Sequence, residues 1–211
     1  MTSGPTDPIY DPVLEKMLTK PSHAKARAYG YSLASSVIKA FHAGDFKQSP
    51  EPSITVHSKE IELGIENFML SLGTLLGVID SDPKFSLMPP FVRYLSEVAF
   101  IQLGDASITG VPGELYPEIA VGGIENPIGA DYVMAPQEVP HLRSQFTNKL
   151  NLMVNLANDA IGYIIPKSEW DEDAPWIYGE NEETYGEVVS LGPNTAPIIC
   201  LLYTSPSQRD Q

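Results

Sequence analysis

One cysteine, Cys200, is present in 211 residues, so no disulfide framework can be drawn from the chain. No apolar run approaches the roughly 18 to 20 residues that a spanning helix needs, and the opening Met1-Thr-Ser-Gly-Pro-Thr-Asp-Pro8 lacks the basic and apolar regions of a secretory signal. Positive charge is scarce. The 13 Lys and Arg against 27 Asp and Glu give a net charge of −14, a field that repels nucleic-acid backbones and anionic membranes. Motifs that declare catalysis by spacing are also missing: there is no Gly-rich phosphate loop, Cys pair, His-Glu-x-x-His or Gly-x-Ser-x-Gly. The four histidines, His23, His42, His57 and His141, lack metal-ligand spacing and read as surface or locally hydrogen-bonded residues.

The length suffices for one substantial core. Residues 1–22 carry Pro5, Pro8, Pro12 and Pro21 and read as an extended lead-in with a short helical piece around Val13 to Leu18. From His23 to Ala43, Tyr31, Ala34, Val37, Ile38 and Phe41 recur at helical spacing, with Gly44 as the stop. Ile54 to Leu63 alternates as a strand does, with a break near Ser58, whereas Phe68 to Ile79 fits a helix or a buried strand equally well. Ser96 to Leu103 and Ala106 to Val111 flank Gly104-Asp105, the signature of a β-hairpin. Asp80 to Pro90 and the stretch through Pro127, Gly129, Pro136 and Pro140 read as loops, and Pro117 to Gly122 as one helical turn. Leu150 to Leu156 reads as another buried strand, and beyond it turns are expected at Gly162, Pro166, Pro175, Gly179, Gly186 and Gly192-Pro193. The fold class is therefore mixed α/β, with α and β elements combined in one domain.

The stretch that draws attention is Ile108-Thr-Gly-Val-Pro-Gly-Glu114, with its echo at Asn158-Asp-Ala-Ile-Gly-Tyr163. An apolar β-branched run feeds Gly110, Pro112 and Gly113 and then presents a carboxylate, as a strand end does when it aims a side chain into a cleft. Taken by itself, Glu114 reads more often as a cap of the following turn, and Tyr163 more often as a half-buried packing residue. Further on, Glu169, Asp171, Glu172, Asp173, Glu180, Glu182, Glu183 and Glu187 form an acidic stretch, read as a solvated loop. Trp170, Trp176, Tyr178 and Tyr185 lie within it and either line a ligand cleft or pack under the loop.

Two resemblances add to this reading. Residues 200–210, Cys-Leu-Leu-Tyr-Thr-Ser-Pro-Ser-Gln-Arg-Asp, look like the translation of a sequencing adapter, with Gln208 where a proline is usual. That implies a non-native tail at 200–211, a genuine chain stopping near Ile199, and a truncated fragment. The Gly104-Asp105 turn, Val-Pro-Gly-Glu114, Leu-Ala-Asn158-Asp-Ala-Ile-Gly-Tyr163-Ile-Ile-Pro, then Tyr178 and Tyr185-Gly186 together resemble the C-terminal part of the catalytic domain of the neutral, non-lysosomal ceramidase family. Ala28-Tyr29-Gly30 and Leu33-Ala34 are similar to an earlier helix of that domain, so the likeness spans residues 23–199.

The resemblance implies an incomplete piece of a zinc hydrolase that cleaves the amide bond of ceramide or a related N-acyl lipid. Glu114 and Tyr163 would be two of its metal ligands, and Tyr178 the tyrosine that steadies the oxyanion. Two histidine ligands would lie upstream of this chain, because none of the four present stands in a matching context. The fragment by itself is then expected to be inactive, and the family implies a secreted or periplasmic location. Asn-Asp-Ala-Ile-Gly-Tyr-Ile-Ile-Pro-Lys167 is closer to uncharacterised microbial relatives than to ceramidases proper. The other reading is a non-catalytic relative that binds a ligand or partner through Trp170, Trp176 and the tyrosines.

Overall fold

The computed structural model describes residues 7–44, 53–79, 83–132, 138, 140–146, 148 and 150–204. Contacts divide the chain into two compact units, Met1–Glu51 and Pro52–Gln211, so the long helix shares its unit with the lead-in.

In the first unit, strands β1 (Ile9–Asp11) and β2 (Lys16–Leu18) form an antiparallel hairpin ahead of helix α1 (His23–Ala43). The expected helical piece at Val13 to Leu18 is instead a turn and a strand. Asp11 decides this, because its buried Oδ1 accepts the Val13 and Leu14 amides at 2.8 and 3.2 Å and closes the turn. Its Oδ2 meets the Arg27 guanidinium at 2.9 Å, which ties α1 to the hairpin. Desolvation opposes ionisation of Asp11, yet the two amides and Arg27 hold the carboxyl below its ordinary range. Helix α1 has the boundaries its sequence predicts, because Ser22 Oγ accepts the Lys25 amide and Gly44, at φ +71°, closes the other end onto the Phe41 carbonyl. Only Lys25 and Ala28 of α1 are buried, and the stripe Leu33, Val37, Ile38 and Phe41 is exposed.

The second unit is built on a five-stranded sheet. Strand β3 (Ile54–Gly64) pairs antiparallel with β5 (Val92–Leu103) along its whole length, without the expected break near Ser58. Helix α2 (Phe68–Leu75), capped by Asn67 on the Leu70 amide, resolves the ambiguous stretch after β3. A short β4 (Lys84–Phe85) adds to the start of β5, and the Gly104-Asp105 turn leads into β6 (Ala106–Gly110), with Gly104 at φ +57°. Strand β8 (Leu150–Val154) then runs parallel to β6, giving the order β3-β5-β6-β8 with β4 beside β5.

Strand alternation divides the sheet into two faces. Ile61 and Leu63 of β3 and Val92 and Val98 of β5 face a core that includes Val111, Ile119, Leu142, Ile164 and Leu191. Helix α5 (Thr195–Thr204) closes that core with Ala196, Ile199, Cys200 and Tyr203, while Phe146 stacks on Phe100 at 5.4 Å and meets Tyr203 edge-on at 5.7 Å. The adapter-like residues 200–204 thus continue this helix, and 205–211 lie outside the described residues. The expectation that Leu150 to Leu156 is buried is corrected: β8 is an edge strand, and Leu150, Leu152 and Val154 are exposed on the outer face with Ile54 and Val56. Asn151, on the inner side, instead donates to Ser107 Oγ and Thr109 Oγ1 at 2.8 and 3.0 Å.

The segment after β6 carries the candidate site. Past Val111 and Pro112 comes the two-residue strand β7 (Glu114–Leu115), followed by the single turn α3 (Pro117–Val121). Strand β9 (Tyr163–Ile164) pairs parallel with β7. Two glycines permit this approach. A Cβ on Gly113 would lie 2.5 Å from the Gly162 carbonyl, and one on Gly162, at φ +88°, would collide with the Val189 carbonyl. Gly162→Ala is therefore expected to lose at least about 2 kcal/mol, combining left-handed strain with a backbone clash. Denaturant titration of the two proteins measures it.

Candidate functional site

Glu114 and Tyr163, far apart in the chain, are direct register partners in the β7–β9 ladder. The Glu114 amide donates to the Gly162 carbonyl at 2.9 Å and the Tyr116 amide to Ile164 at 3.1 Å, while the Tyr163 amide reaches Val189 at 3.2 Å. Side chains of neighbouring parallel strands at one register position project to the same side. The Glu114 carboxylate beside it, more than partial burial, raises the pKa of the Tyr163 phenol. The direction follows because a neighbouring carboxylate disfavours the phenolate.

Two more tyrosines flank this pair. Tyr116 meets Tyr163 edge-on at 6.1 Å, and Tyr185, the first residue of helix α4 (Tyr185–Val188), does so at 6.0 Å. Gly186 falls inside that helix rather than in a turn, and a Cβ there would collide with the Tyr116 hydroxyl. Tyr178 takes a different position. It is exposed, holds φ +56° within the 3₁₀ turn Ile177–Gly179, and its pKa is raised by partial desolvation and then by Glu169, Glu125 and Glu118. The tyrosines in ring contact with Tyr163 are thus Tyr116 and Tyr185, neither of which the sequence reading gave a catalytic role.

The acidic stretch is only partly a solvated loop. Glu169, Asp171 and Glu187 are buried, together with Glu138 from the preceding segment. Two of them are partly anchored: Lys167 N donates to Glu138 Oε1 at 3.0 Å and Ile177 N to Asp171 Oδ2 at 2.6 Å. Yet Glu118 Oε2, Glu138 Oε2, Glu169 Oε1, Asp171 Oδ1 and Glu187 Oε2 have no hydrogen-bond partner among the described residues. For Glu169 and Glu187, burial makes the ionised form costly and favours the protonated one. Burial, then Glu118, Glu125 and Glu138, push Glu169 up to about 7, and burial, then Asp171 and Glu183, push Glu187 up to about 8. The same group of charges, together with burial as the larger cause, lifts Tyr116 to about 12.

The aromatic cluster is likewise divided. Trp170 is 1% exposed and belongs to the packed interior, whereas Tyr178 and Tyr185 are 64% and 73% exposed. His141 caps the 3₁₀ turn Leu142–Gln145 through the Ser144 amide, in keeping with a locally bonded histidine. A cavity of about 200 Å³ lies elsewhere, lined by Glu62, Glu66, Arg93 and Asn194 among others. There Asn194 Nδ2 already donates to Glu66 at 2.6 Å and Arg93 pairs with Glu62 at 3.3 Å.

Glu114 and Tyr163, the two residues for which the resemblance implies metal ligation, share one register position of the β7–β9 ladder. Among the described residues no group of three or more His, Cys, Asp or Glu is arranged to hold a metal ion. A catalytic zinc takes three protein ligands and one open position, so these residues alone do not complete such a site. No helix among the described residues is long and apolar enough to cross a membrane.

No family model matches the chain. No curated protein matches it either. Among solved structures, neutral ceramidase from Pseudomonas aeruginosa is similar, with a TM-score of 0.41 and 11% identity over 88% of this chain and 31% of that one. The chain thus spans about a third of that structure's length, and the likeness is one of partial fold.

The buried carboxyls set a pH dependence. Between about pH 4.5 and 8 the folded chain keeps protons on Glu187 and Glu169 that the unfolded chain releases, so stability falls as pH rises through that window. The expected loss is on the order of a few kcal/mol, from shifts of this size. Thermal midpoints at pH 5 and pH 8 measure it, and Glu187→Gln should flatten the dependence.

Proposed function

We propose that this chain carries part of a metal-dependent amide-hydrolase site in which Glu114 and Tyr163 are two of the ligands. The observation that supports this most directly is their shared register position in the β7–β9 ladder. They are the two residues for which the motif resemblance to the neutral ceramidases implies metal ligation, and the backbone ladder brings them together.

In this reading, Glu114 supplies negative charge and lone pairs, and Tyr163 a phenolic oxygen held toward the same point. A zinc ion at such a site supplies a bound water whose pKa falls to about 7. The two histidine donors that the resemblance implies come from outside this chain. Oxyanion stabilisation requires a preorganised donor on a developing negative charge. Tyr185, in ring contact with Tyr163, fits that requirement better than Tyr178. The substrate class is an N-acyl amide with a lipid-like acyl chain, and the location extracytoplasmic; both follow from the motif resemblance.

The test begins with the chain itself, carrying ¹³Cζ-labelled tyrosine. Zinc is expected to shift the Tyr163 resonance, and Glu114→Gln to abolish the response. An indifferent Tyr163, or a response intact in Glu114→Gln, overturns the ligand assignment. In a longer form with the full ligand set, Tyr185→Phe should lower kcat about 10²- to 10³-fold, the cost of losing one oxyanion donor. Tyr178→Phe should change it far less, and the reverse order would restore the role to Tyr178.

A further inference from the structure

Between β8 and β9 the chain passes through Leu156 at φ +53° and Asn158 at φ +71°. A left-handed conformation costs an L-residue about 1 to 2 kcal/mol, less for Asn, so the surroundings must over-determine this turn. They do so from two sides. Backbone bonds hold it against the β6–β7 connection: Leu156 N to Gly113 O at 3.2 Å, Ala157 N to Val111 O at 2.9 Å and Ile161 N to Pro112 O at 2.9 Å. Side chains hold it to β5, the strand that β3, β4 and β6 all pair with.

The central side chain is Asp159. Its Oδ2 accepts from the buried Ser96 hydroxyl at 2.8 Å, and its Oδ1 from the Tyr94 hydroxyl at 3.1 Å and the Ala160 amide at 2.8 Å. Asn158 adds a bond from Nδ2 to Glu97 Oε1 at 2.9 Å. Tyr94, Ser96 and Glu97 are all on β5, so the turn is fixed to the most heavily paired strand of the sheet. A few residues later the same segment delivers the Gly162 carbonyl to the Glu114 amide and sets Tyr163 at the register position of Glu114. A two-residue ladder has little pairing of its own to set its register.

We infer that Asp159 is a positioning residue for the Glu114–Tyr163 pair, setting the register of β9 on β7 by tying the preceding turn to β5. The inference rests on reading that pair as functional. Asp159→Asn preserves shape but turns one acceptor into a donor that faces hydroxyl donors, and the charge-assisted bonds are lost.

The experiment is residue-resolved amide hydrogen exchange of the whole chain. The Glu114 and Tyr116 amides, which donate across the ladder to the Gly162 and Ile164 carbonyls, report its register. Tyr203, buried in the core and donating to the Gly110 carbonyl at 3.3 Å, serves as the internal reporter of folding. In Asp159→Asn both amides are expected to exchange at least about tenfold faster, with the Tyr203 resonance unchanged. Unchanged protection of both amides in a folded Asp159→Asn overturns the positioning role while the pair stands. A Tyr163 resonance indifferent to zinc in the unsubstituted chain removes the reading of the pair, and the inference falls with it. Should Asp159→Asn disturb Tyr203, Ser96→Ala removes one bond of the clamp. It is expected to speed the same exchange by a smaller factor, and unchanged protection in a folded Ser96→Ala overturns the role.

Discussion

The parallel pairing of Glu114–Leu115 with Tyr163–Ile164 is the contact on which the second unit's candidate chemistry depends. It is only two residues long, and neither strand would persist without its surroundings. It exists because Gly113 and Gly162 let two backbones come closer than any side chain allows, and because the flanking segments are bonded to the large sheet. Glu114 and Tyr163 are thus placed by backbone geometry, with β5 as the common reference for both strands.

Much of this architecture is readable in the amino-acid sequence where a local rule decides the outcome. Helix α1 has its boundaries because Ser22 and Gly44 are a side-chain cap and a left-handed stop, and both act within one turn of the chain. The β5–β6 hairpin follows from Gly104 at a position that demands positive φ. Glu114 at a strand end is readable for the same reason. The β7–β9 ladder is not, because two residues carry no periodicity and their pairing is decided by segments distant in sequence. The ring contact of Tyr185 with Tyr163 is not readable either: spacing along a loop cannot say which ring turns back onto Tyr163, and the α4 turn that carries Tyr185 is only four residues long. At β8, apolar character and burial part company because the strand lies at the sheet edge.

The acidic stretch shows how charge content misleads about location. A run of carboxylates is ordinarily solvated, yet here Glu169, Asp171 and Glu187 turn inward beside Trp170 and the core. For Glu169 and Glu187, burial is tolerable because a carboxyl group that keeps its proton is a modest polar group rather than an ion. The chain's formal charge of −14 counts these groups as ionised and so overstates the negative charge that the folded molecule carries near neutral pH.

The outer face of the sheet has a consequence for how this protein behaves in solution. Ile54, Val56, Leu150, Leu152 and Val154 lie on that face, and among the described residues β3 and β8 have no strand on their outer edges, an arrangement that invites sheet-to-sheet contact between molecules. What opposes such contact is mutual repulsion between acidic copies, which extends only about a Debye length, roughly 10 Å at 0.1 M salt. Colloidal stability is therefore set by the ionic strength of the medium more than by the shape of the fold.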